Sequence, residues 1–257
     1  MSLPIDLRGK CGLVVGVANE QSIAYGCARA YRQAGARLAI SYQNDKAEPH
    51  VRPLAEQLGA ELIAPLDVRD PAQLDALFAQ IAERWGKLDF LLHSIAFAPR
   101  NDLHGRVVDC SAEGFALAMD VSCHSFIRLA KRAEPLMKDG GCLQTVSFYG
   151  AEKAISHYNL MGPVKAALES TVRYLAAELG PHGIRVHALS PGPLRTRAAG
   201  GLDQFDALLQ RVAQAAPDYQ QVNIEQVGLL SAYLACDGAA GLSGERIHID
   251  GGYHVLG

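Results

Sequence analysis

The sequence has no Cys-x-x-Cys pair and no group of histidines with the spacing of metal ligands. Its six cysteines are scattered, and most of them lie in apolar or helical stretches. Structural zinc sites draw their ligands from closely spaced pairs, and disulfide frameworks belong mainly to small secreted domains. We therefore expect free thiols in a reducing compartment and no bound metal.

Blocks of like charge and long apolar runs are also missing. The 257 residues carry a net charge of −3 without a Lys/Arg cluster, which argues against a nucleic-acid partner. No apolar run approaches the length of a transmembrane helix, about 18–20 residues, and the start of the chain lacks a signal-peptide pattern. These absences predict a soluble, cytoplasmic protein that binds neither nucleic acid nor membrane.

What the sequence does contain is an alternation of short apolar runs and helical patterns. The runs predict strands at 12–17, 37–41, 61–65, 90–94, 142–147, 185–190 and 245–249. Apolar residues three and four apart predict helices at 23–34, 49–58, 71–85, 111–137, 158–179 and 224–236.

This alternation is typical of βαβ units. We therefore expect an α/β fold, a single-domain, Rossmann-like, doubly wound parallel sheet of about seven strands with helices on both faces. No linker divides the chain, so residues 1–257 are expected to form one domain. The stretch at 194–217 interrupts the alternation after a strand, which predicts a substrate lid.

The first βα turn predicts a phosphate-binding site. Gly16 allows a tight turn after the first strand, and Gly26 permits close packing of the next helix on a strand. Ser22 can cap the helix that begins at Ile23, and the N–H groups of that helix end suit a diphosphate. Because the pattern is not Gly-x-Gly-x-x-Gly, an ordinary strand–turn–helix remains an alternative.

The ends of the second and third strands are where a dinucleotide fold contacts adenosine. Gln43 and Asn44 can bind ribose hydroxyls but cannot neutralise the 2′-phosphate of NADP, and Asp45 would repel it. We therefore expect NAD(H). Asp67 and Val68 suit pairing with the adenine amino group, although Asp67 is equally suited to capping the helix that follows.

Tyr158 and Lys165 stand seven residues apart in a predicted helix. Seven residues turn an α-helix by about 700°, so both side chains would lie on one face, ~10 Å apart along the axis. That gap is wide for a direct bond but suits a ligand with hydroxyl groups. A phenol near a cation suits acid–base work in a reduction, although a solvated helix edge would show the same spacing.

Several segments together resemble one enzyme family. They are Gly16-Val17-Ala18, Ser22-Ile23-Ala24-Tyr25-Gly26, Tyr42-Gln43-Asn44-Asp45-Lys46, Asp67-Val68, His93-Ser94-Ile95-Ala96-Phe97-Ala98-Pro99, Gly150-Ala151-Glu152-Lys153-Ala154, Tyr158-Asn159-Leu160-Met161-Gly162, Gly192-Pro193-Leu194-Arg195-Thr196, Ser243-Gly244-Glu245 and His248-Ile249-Asp250-Gly251-Gly252. The chain resembles the bacterial enoyl-acyl-carrier-protein reductases, a divergent branch of the short-chain dehydrogenase/reductase superfamily. Commoner members of the superfamily use Tyr-x3-Lys, and the lysine position of that motif is Gly162 here.

The resemblance implies reduction of a trans-2-enoyl thioester by NADH, with the acyl group on acyl carrier protein or coenzyme A, in a homotetramer. It implies that Tyr158 stabilises the enolate oxygen and that Lys165 holds the nicotinamide ribose. Further cofactor residues would be Gly16, Ser22, Ile23, Gln43, Asp67, Val68, Ile95, Leu194 and Thr196, and further substrate residues Ala98, Met161 and Phe205. For Met161 and Phe205, ordinary core packing is an equal alternative.

The chain departs from that family at two places. Phe148 occupies the position of a second family tyrosine, and strand alternation would point Tyr149 the other way. Pro163 removes a helix donor between Tyr158 and Lys165, which costs little only near the first turn of a helix.

Two other functions stay open. One is a carbonyl reductase of the same superfamily, against which the Tyr-x6-Lys spacing speaks. The other is an NAD(H)-binding protein that has lost catalysis, which the retained Tyr158 and Lys165 disfavour.

Overall fold

The computed structural model describes residues 5–196, 200, 205–217 and 221–256, apart from the side chains of residues 205, 207, 208, 211 and 213. Its centre is one parallel sheet with the strand order β3-β2-β1-β4-β5-β6-β7. The strands are β1 Cys11–Val15, β2 Arg37–Tyr42, β3 Leu62–Pro65, β4 Phe90–His93, β5 Gly141–Val146, β6 Ile184–Pro191 and β7 Arg246–Ile249. The order reverses between β1 and β4, so the sheet is doubly wound and the predicted fold class is confirmed.

Helices cover both faces of this sheet. They are α1 Ile23–Gln33, α2 Glu48–Gln57, α3 Pro71–Trp85, α4 Arg100–Leu103, α5 Ala112–Met119, α6 Ser125–Ala133, α7 Met161–Leu179, α8 Phe205–Ala215 and α9 Ile224–Ala235. One apolar core lies beneath α1, α2 and α9, and a second beneath α3, α6 and α7. Every residue of β1 and β4 is buried, which is why both strands appear in the sequence as uninterrupted apolar runs. Among the helices that the structure describes, none has the length and apolar character to cross a membrane.

Gly26 allows two helices, not a helix and a strand, to approach closely. A Cβ on Gly26 would collide with the carbonyl oxygen of Ile224 at the start of α9. A Cβ on Gly228, within α9, would likewise collide with the carbonyl oxygen of Gly26. The expected helix–strand packing at Gly26 is therefore wrong, because the atoms nearest a Cβ at this position belong to α9 and not to a strand.

The helix predicted over 111–137 is divided into shorter pieces. Between α5 and α6 lies a π-helical turn, Asp120–His124, and α6 is followed by a 3₁₀ turn, Glu134–Leu136. In the π-helical turn the Ser122 hydroxyl donates to the carbonyl of Phe97 at 3.0 Å and accepts from its N–H at 2.9 Å. The turn thus fixes the loop that follows β4, which is typical of π-turns near functional sites.

The helix predicted over 158–179 begins only at Met161, so Tyr158 precedes it. His157 and Asn159 have φ of 65° and 42°, left-handed values that an α-helix cannot contain. With this start, Pro163 is the third residue of α7, where an N–H would have no helical partner. The proline is therefore accommodated, and the argument that Tyr158 and Lys165 share one helix face is wrong.

Candidate active site

The carboxyl ends of β1 and β4 border a crevice at the point where the strand order reverses. Gly16 follows β1 with φ of 112°, a conformation that favours glycine. A Cβ at this position would collide with the carbonyl oxygen of Ser94, which follows β4. Gly16 therefore lets the two strand ends approach each other at the base of the crevice.

Ser22 precedes α1 but does not cap it with its side chain. Its hydroxyl donates to the Asn19 carbonyl at 2.5 Å and accepts from the Ala18 N–H at 3.3 Å. The expected side-chain cap is therefore wrong, because this hydroxyl closes the loop before the helix instead. The N–H groups of Tyr25 and Gly26 already donate to the Ser22 carbonyl, at 2.9 and 3.2 Å, so those of Ile23 and Ala24 are the ones that a diphosphate would use.

The loop after β2 is exposed and carries the residues predicted to contact ribose. Gln43 is solvent-accessible, whereas the Asn44 side chain accepts the N–H groups of Lys46 and Ala47 at 3.1 Å each. Arg52, one turn into α2, is held by Glu48 at 2.8 Å. Gln43 is thus the side chain of this loop that is available to a ribose, beside the exposed cation of Lys46.

Asp67 neither caps α3 nor stands unpaired. The cap is Asp70, which accepts the N–H groups of Ala72 and Gln73. Asp67 accepts the backbone N–H and the guanidinium of Arg69 at 2.9 and 2.8 Å, and this bonding lowers the pKa of Asp67. The capping alternative is therefore wrong, and an adenine would have to share Asp67 with Arg69.

Val68 contributes little side-chain surface to an adenine pocket. Its side chain is buried in the core beneath α3, and its carbonyl accepts from Arg128 at 3.2 Å.

The predicted catalytic tyrosine and two of the predicted substrate residues share one apolar cluster. Tyr158 is 8% exposed and belongs to a group with the buried Met161 and the partly buried Ala98. Phe148 packs on Tyr158, with ring centroids 4.8 Å apart. The Tyr158 ring therefore lies among apolar side chains, an environment that suits an acyl chain.

Burial decides the protonation state of both catalytic candidates. It raises the pKa of Tyr158 above its ordinary value, and the carboxylate of Glu169 acts in the same direction. Burial lowers the pKa of Lys165 to about 8, while Cys123 and Glu169 partly oppose that change. The phenol consequently remains a hydrogen-bond donor near neutral pH, and the lysine is mostly charged there.

Lys165 and Glu169 both hold the carboxyl end of β5. The Lys165 Nζ donates to the Val146 carbonyl at 2.6 Å, and Glu169 accepts from the Ser147 hydroxyl at 2.6 Å. The other Glu169 oxygen lies 2.9 Å from Arg246 of β7. Sequence reasoning missed Glu169, although the spacing of four from Lys165 places both side chains on one face of α7.

The two aromatic residues after β5 point in different directions, as strand alternation predicts. Phe148 faces Tyr158, whereas Tyr149 packs against His248 and Tyr253 with ring centroids 6.2 and 5.8 Å away. The hydroxyl of Tyr149 therefore does not replace the family tyrosine that Phe148 lacks.

His93 is the last residue of β4, Ile95 lies two residues after it, and the two side chains have different surroundings. The imidazole of His93 is fully buried and bonded to Thr145 at 2.7 Å and to Ser125 at 2.8 Å. Burial lowers its pKa to about 3, so it is neutral and ties β4 to β5 and α6. Ile95 is partly buried where the strand enters the crevice, the position expected of a cofactor contact.

The segment predicted as a lid, 194–217, is described only in part. Leu194 is half-buried against the core beneath α1, and the N–H of Thr196 donates to the Leu194 carbonyl at 2.8 Å. Residues 197–199 and 201–204 lie outside the described part, as does the side chain of Phe205, whose backbone begins α8. An ion pair of 2.7 Å between Arg195 and Asp206 joins the two described ends of the segment.

Comparison with known proteins shows that the chain is similar to proteins of one kind. A family model described as enoyl-(acyl carrier protein) reductase matches residues 16–254. The chain is 47% identical to enoyl-[acyl-carrier-protein] reductase [NADH] 1 of Rhizobium meliloti over 251 residues, which are 98% of this chain and 92% of that protein.

Two solved structures are similar over almost the whole chain. The Anaplasma phagocytophilum enoyl-acyl-carrier-protein reductase in complex with NAD has a TM-score of 0.94 and 45% identity, covering 98% of this chain and 96% of that one. The Bacillus cereus enzyme, solved with NADP+ and an indole naphthyridinone, has a TM-score of 0.95 and 42% identity, covering 98% and 99%.

Proposed function

Because the chain belongs to the enoyl-(acyl carrier protein) reductase family, we propose that it reduces the carbon–carbon double bond of a trans-2-enoyl thioester with NADH. The observation that carries the proposal is the buried phenol of Tyr158, which lies in an apolar cluster beside Ala98 and Met161. The expectation of NADH agrees with the R. meliloti relative, which is named as an NADH enzyme. Acyl carrier protein is the proposed carrier, as in the family's name.

The crevice fits a dinucleotide. Gly16 brings the strand ends together, the N-terminus of α1 is free of a side-chain cap, and Gln43 is exposed after β2. Thr196 and Leu194 lie on the loop after β6, at the same edge of the sheet, where the nicotinamide end would bind.

NADH, when bound, would supply a hydride to the β-carbon of the enoyl thioester; negative charge would then develop on the thioester oxygen, and a proton from solvent would complete the reduction at the α-carbon. Tyr158 donates its O–H to that oxygen, and the apolar pocket strengthens this hydrogen bond as charge develops. Lys165 keeps one N–H on the Val146 carbonyl and directs its remaining N–H groups at the ribose hydroxyls. Glu169 acts through Ser147 and Lys165 by holding the end of β5 in place.

The apolar walls favour an enoyl substrate. Phe148 offers no second hydroxyl beside Tyr158, so the substrate oxygen receives one donor from this pair of residues. Met161, Ala98 and the partly buried Leu103 form a surface suited to the carbons next to the thioester. Phe205 stays a proposed residue of the acyl channel.

Apolar side chains exposed on several helices fit the proposed homotetramer. The exposed apolar residues are Phe115 of α5, Ile127 of α6, Tyr174 of α7, and Leu229 and Tyr233 of α9. Exposed apolar residues that gather into a patch mark protein–protein contacts, and we assign these residues to the contacts between subunits. Sedimentation equilibrium should return four times the mass of one chain, and a monomer at micromolar concentration would contradict this assembly.

The proposed activity is tested by following NADH oxidation with crotonyl thioesters of acyl carrier protein and coenzyme A. We expect oxidation with the crotonyl substrates and none with acetoacetyl thioesters of the same carriers. Reduction of the keto substrate alone would favour the carbonyl-reductase alternative. NADH binding without turnover of either substrate would favour a binding protein that has lost catalysis.

A cytoplasmic location is also proposed. The six cysteines are unpaired, and five of them are buried, which fits a reducing compartment.

A further inference from the structure

Three side chains of metal-ligand type converge where β7 ends. One ligand atom from each of His248, Asp250 and His254 lies within 4.8 Å of the others. The Nδ1 of His254 is 2.9 and 3.0 Å from the two Asp250 oxygens, and the Nδ1 of His248 is 3.9 Å from the second of them. Ligands around a first-row metal ion are separated by about 3–4 Å, given metal–ligand bonds of about 2.0–2.1 Å.

His248 has the surroundings of a histidine prepared to bind a metal. Its Nε2 lies 3.1 Å from the Glu152 carboxylate, which favours the tautomer with the proton on Nε2. Its Nδ1 is buried and has no hydrogen-bond partner, so a lone pair is left unused inside the protein. A carboxylate on the far nitrogen of a ligating histidine is the usual arrangement around protein metal ions.

Asp250 is held rigidly in place. Its side chain is buried, and its two oxygens accept the backbone N–H groups of Gly252 at 3.1 Å and His254 at 2.9 Å. Arg246 bridges the neighbouring carboxylates Glu152 and Glu169, at 3.0 and 2.9 Å, and so balances part of the local negative charge. The group therefore offers one fixed carboxylate and two imidazoles.

His254 is the ligand that has to move. Its ring stacks on that of His248, with centroids 3.8 Å apart and planes 7° apart. Parallel rings cannot both direct in-plane lone pairs at one ion, so binding requires the His254 ring to turn out of the stack. His254 is partly exposed on a short 3₁₀ turn, Tyr253–Val255, and turning its ring would replace the hydrogen bond between its Nδ1 and Asp250 with a bond to the metal.

We propose that His248, Asp250 and His254 bind one divalent first-row transition-metal ion, of which Zn²⁺ is the representative, with water completing its coordination. Two imidazoles and one carboxylate suit Zn²⁺, Co²⁺ and Ni²⁺ better than Mg²⁺ or Ca²⁺, which prefer oxygen ligands. The ion would fix the turn Tyr253–Val255 against the end of β7. This site is distinct from the Tyr158 cluster, since Phe148 packs on Tyr158 whereas Tyr149 packs on His248.

The test is titration of the metal-free, full-length protein with Co²⁺, followed by competition with Zn²⁺. We expect one Co²⁺ per chain, with a visible d–d spectrum that lacks thiolate charge-transfer bands, and a higher Tm with Zn²⁺. His254→Ala should abolish both effects, and Glu152→Gln should weaken binding about 10–100-fold. His124→Ala is the matched control, because His124 also faces a carboxylate, that of Asp120 at 3.5 Å, but has no second imidazole.

Three results would overturn the proposal. The first is no stoichiometric Co²⁺ binding by the wild-type protein. The second is binding that survives in His254→Ala but is lost in His124→Ala. The third is a spectrum with thiolate bands, which would place the metal on a cysteine such as the partly exposed Cys110.

Discussion

Replacement of Tyr158 by phenylalanine removes one hydroxyl and leaves the packing of the pocket in place. Phe148 contacts the ring of Tyr158 at a centroid distance of 4.8 Å, and this contact does not involve the oxygen. The side chain is buried among apolar neighbours, so loss of the hydroxyl should change the free energy of unfolding by less than about 1 kcal/mol.

The catalytic effect of Tyr158→Phe should be much larger than its effect on stability. Loss of one preorganised donor to a developing oxyanion typically costs about 10²–10³-fold in kcat, or about 2.7–4 kcal/mol. Because Tyr158 is buried, water competes little for the thioester oxygen, and the hydrogen bond from the phenol to that oxygen should be strong. We expect a fall in kcat of about 10²-fold or more and an unchanged Kd for NADH.

The assay combines steady-state kinetics on a crotonyl thioester with NADH binding by fluorescence. Tyr149→Phe is the matched control, since it removes a phenol one residue from Phe148 that faces away from the pocket. A fall in kcat of less than about tenfold for Tyr158→Phe would refute the role of the phenol as the oxyanion donor. So would an equal loss of activity in Tyr149→Phe.

The remaining predictions concern charge, cofactor choice and packing. The KM for NADH should rise as pH rises through about 8, because Lys165 then loses its proton. Glu169→Gln should move this transition to lower pH, because it removes a carboxylate that raises the pKa of Lys165. Profiles of KM against pH for both proteins check this, and an unmoved transition would contradict it. The kcat/KM of the wild-type protein should be higher with NADH than with NADPH, and Asp45→Arg should reduce the ratio of the two values. Better activity of the wild-type protein with NADPH would refute repulsion of the 2′-phosphate by Asp45. Gly26→Ala should lower the free energy of unfolding by about 1–3 kcal/mol in urea denaturation, because its Cβ meets the carbonyl of Ile224, and unchanged stability would contradict the close approach of α1 and α9.

Sequence patterns predicted the sheet well because its strands are buried on both faces. Each strand appeared as a short apolar run, and helix α3 was placed at its observed bounds, Pro71–Trp85, since its first residue is a proline and Gly86 follows it. The family resemblance, carried by short motifs near the strand ends, is confirmed by relatives that match nearly the whole chain. Local pattern was sufficient wherever neighbours in sequence decide the structure.

Features that depend on distant contacts were not predictable in the same way. The start of α7 is set by the left-handed turn at His157 and Asn159, and the apolar pattern continues through that turn without a break. The hydroxyl of Ser22 donates to the Asn19 carbonyl in the preceding loop and does not cap α1. The hydrogen bond from Arg246 to Glu169 joins residues that are 77 positions apart, and a single sequence contains no local signal for such a contact.

The spacing of metal ligands illustrates the same limit. His248, Asp250 and His254 are near neighbours in the sequence, but their resemblance to a metal site depends on Glu152, which lies far away along the chain. The expectation of no metal came from the absence of cysteine pairs and of histidines with ligand spacing, and neither pattern describes a site that joins two imidazoles to a carboxylate.

The central claim is that this chain delivers a hydride to the β-carbon of an enoyl thioester beside Tyr158. The direct measurement is incubation of a crotonyl thioester with NADH that carries deuterium at the transferred position, followed by NMR of the product. The account predicts a butyryl thioester with deuterium at the β-carbon, formed by the wild-type protein and far more slowly by Tyr158→Phe. Deuterium on the former carbonyl carbon instead of the β-carbon, or no transfer of deuterium to the enoyl substrate, would contradict it.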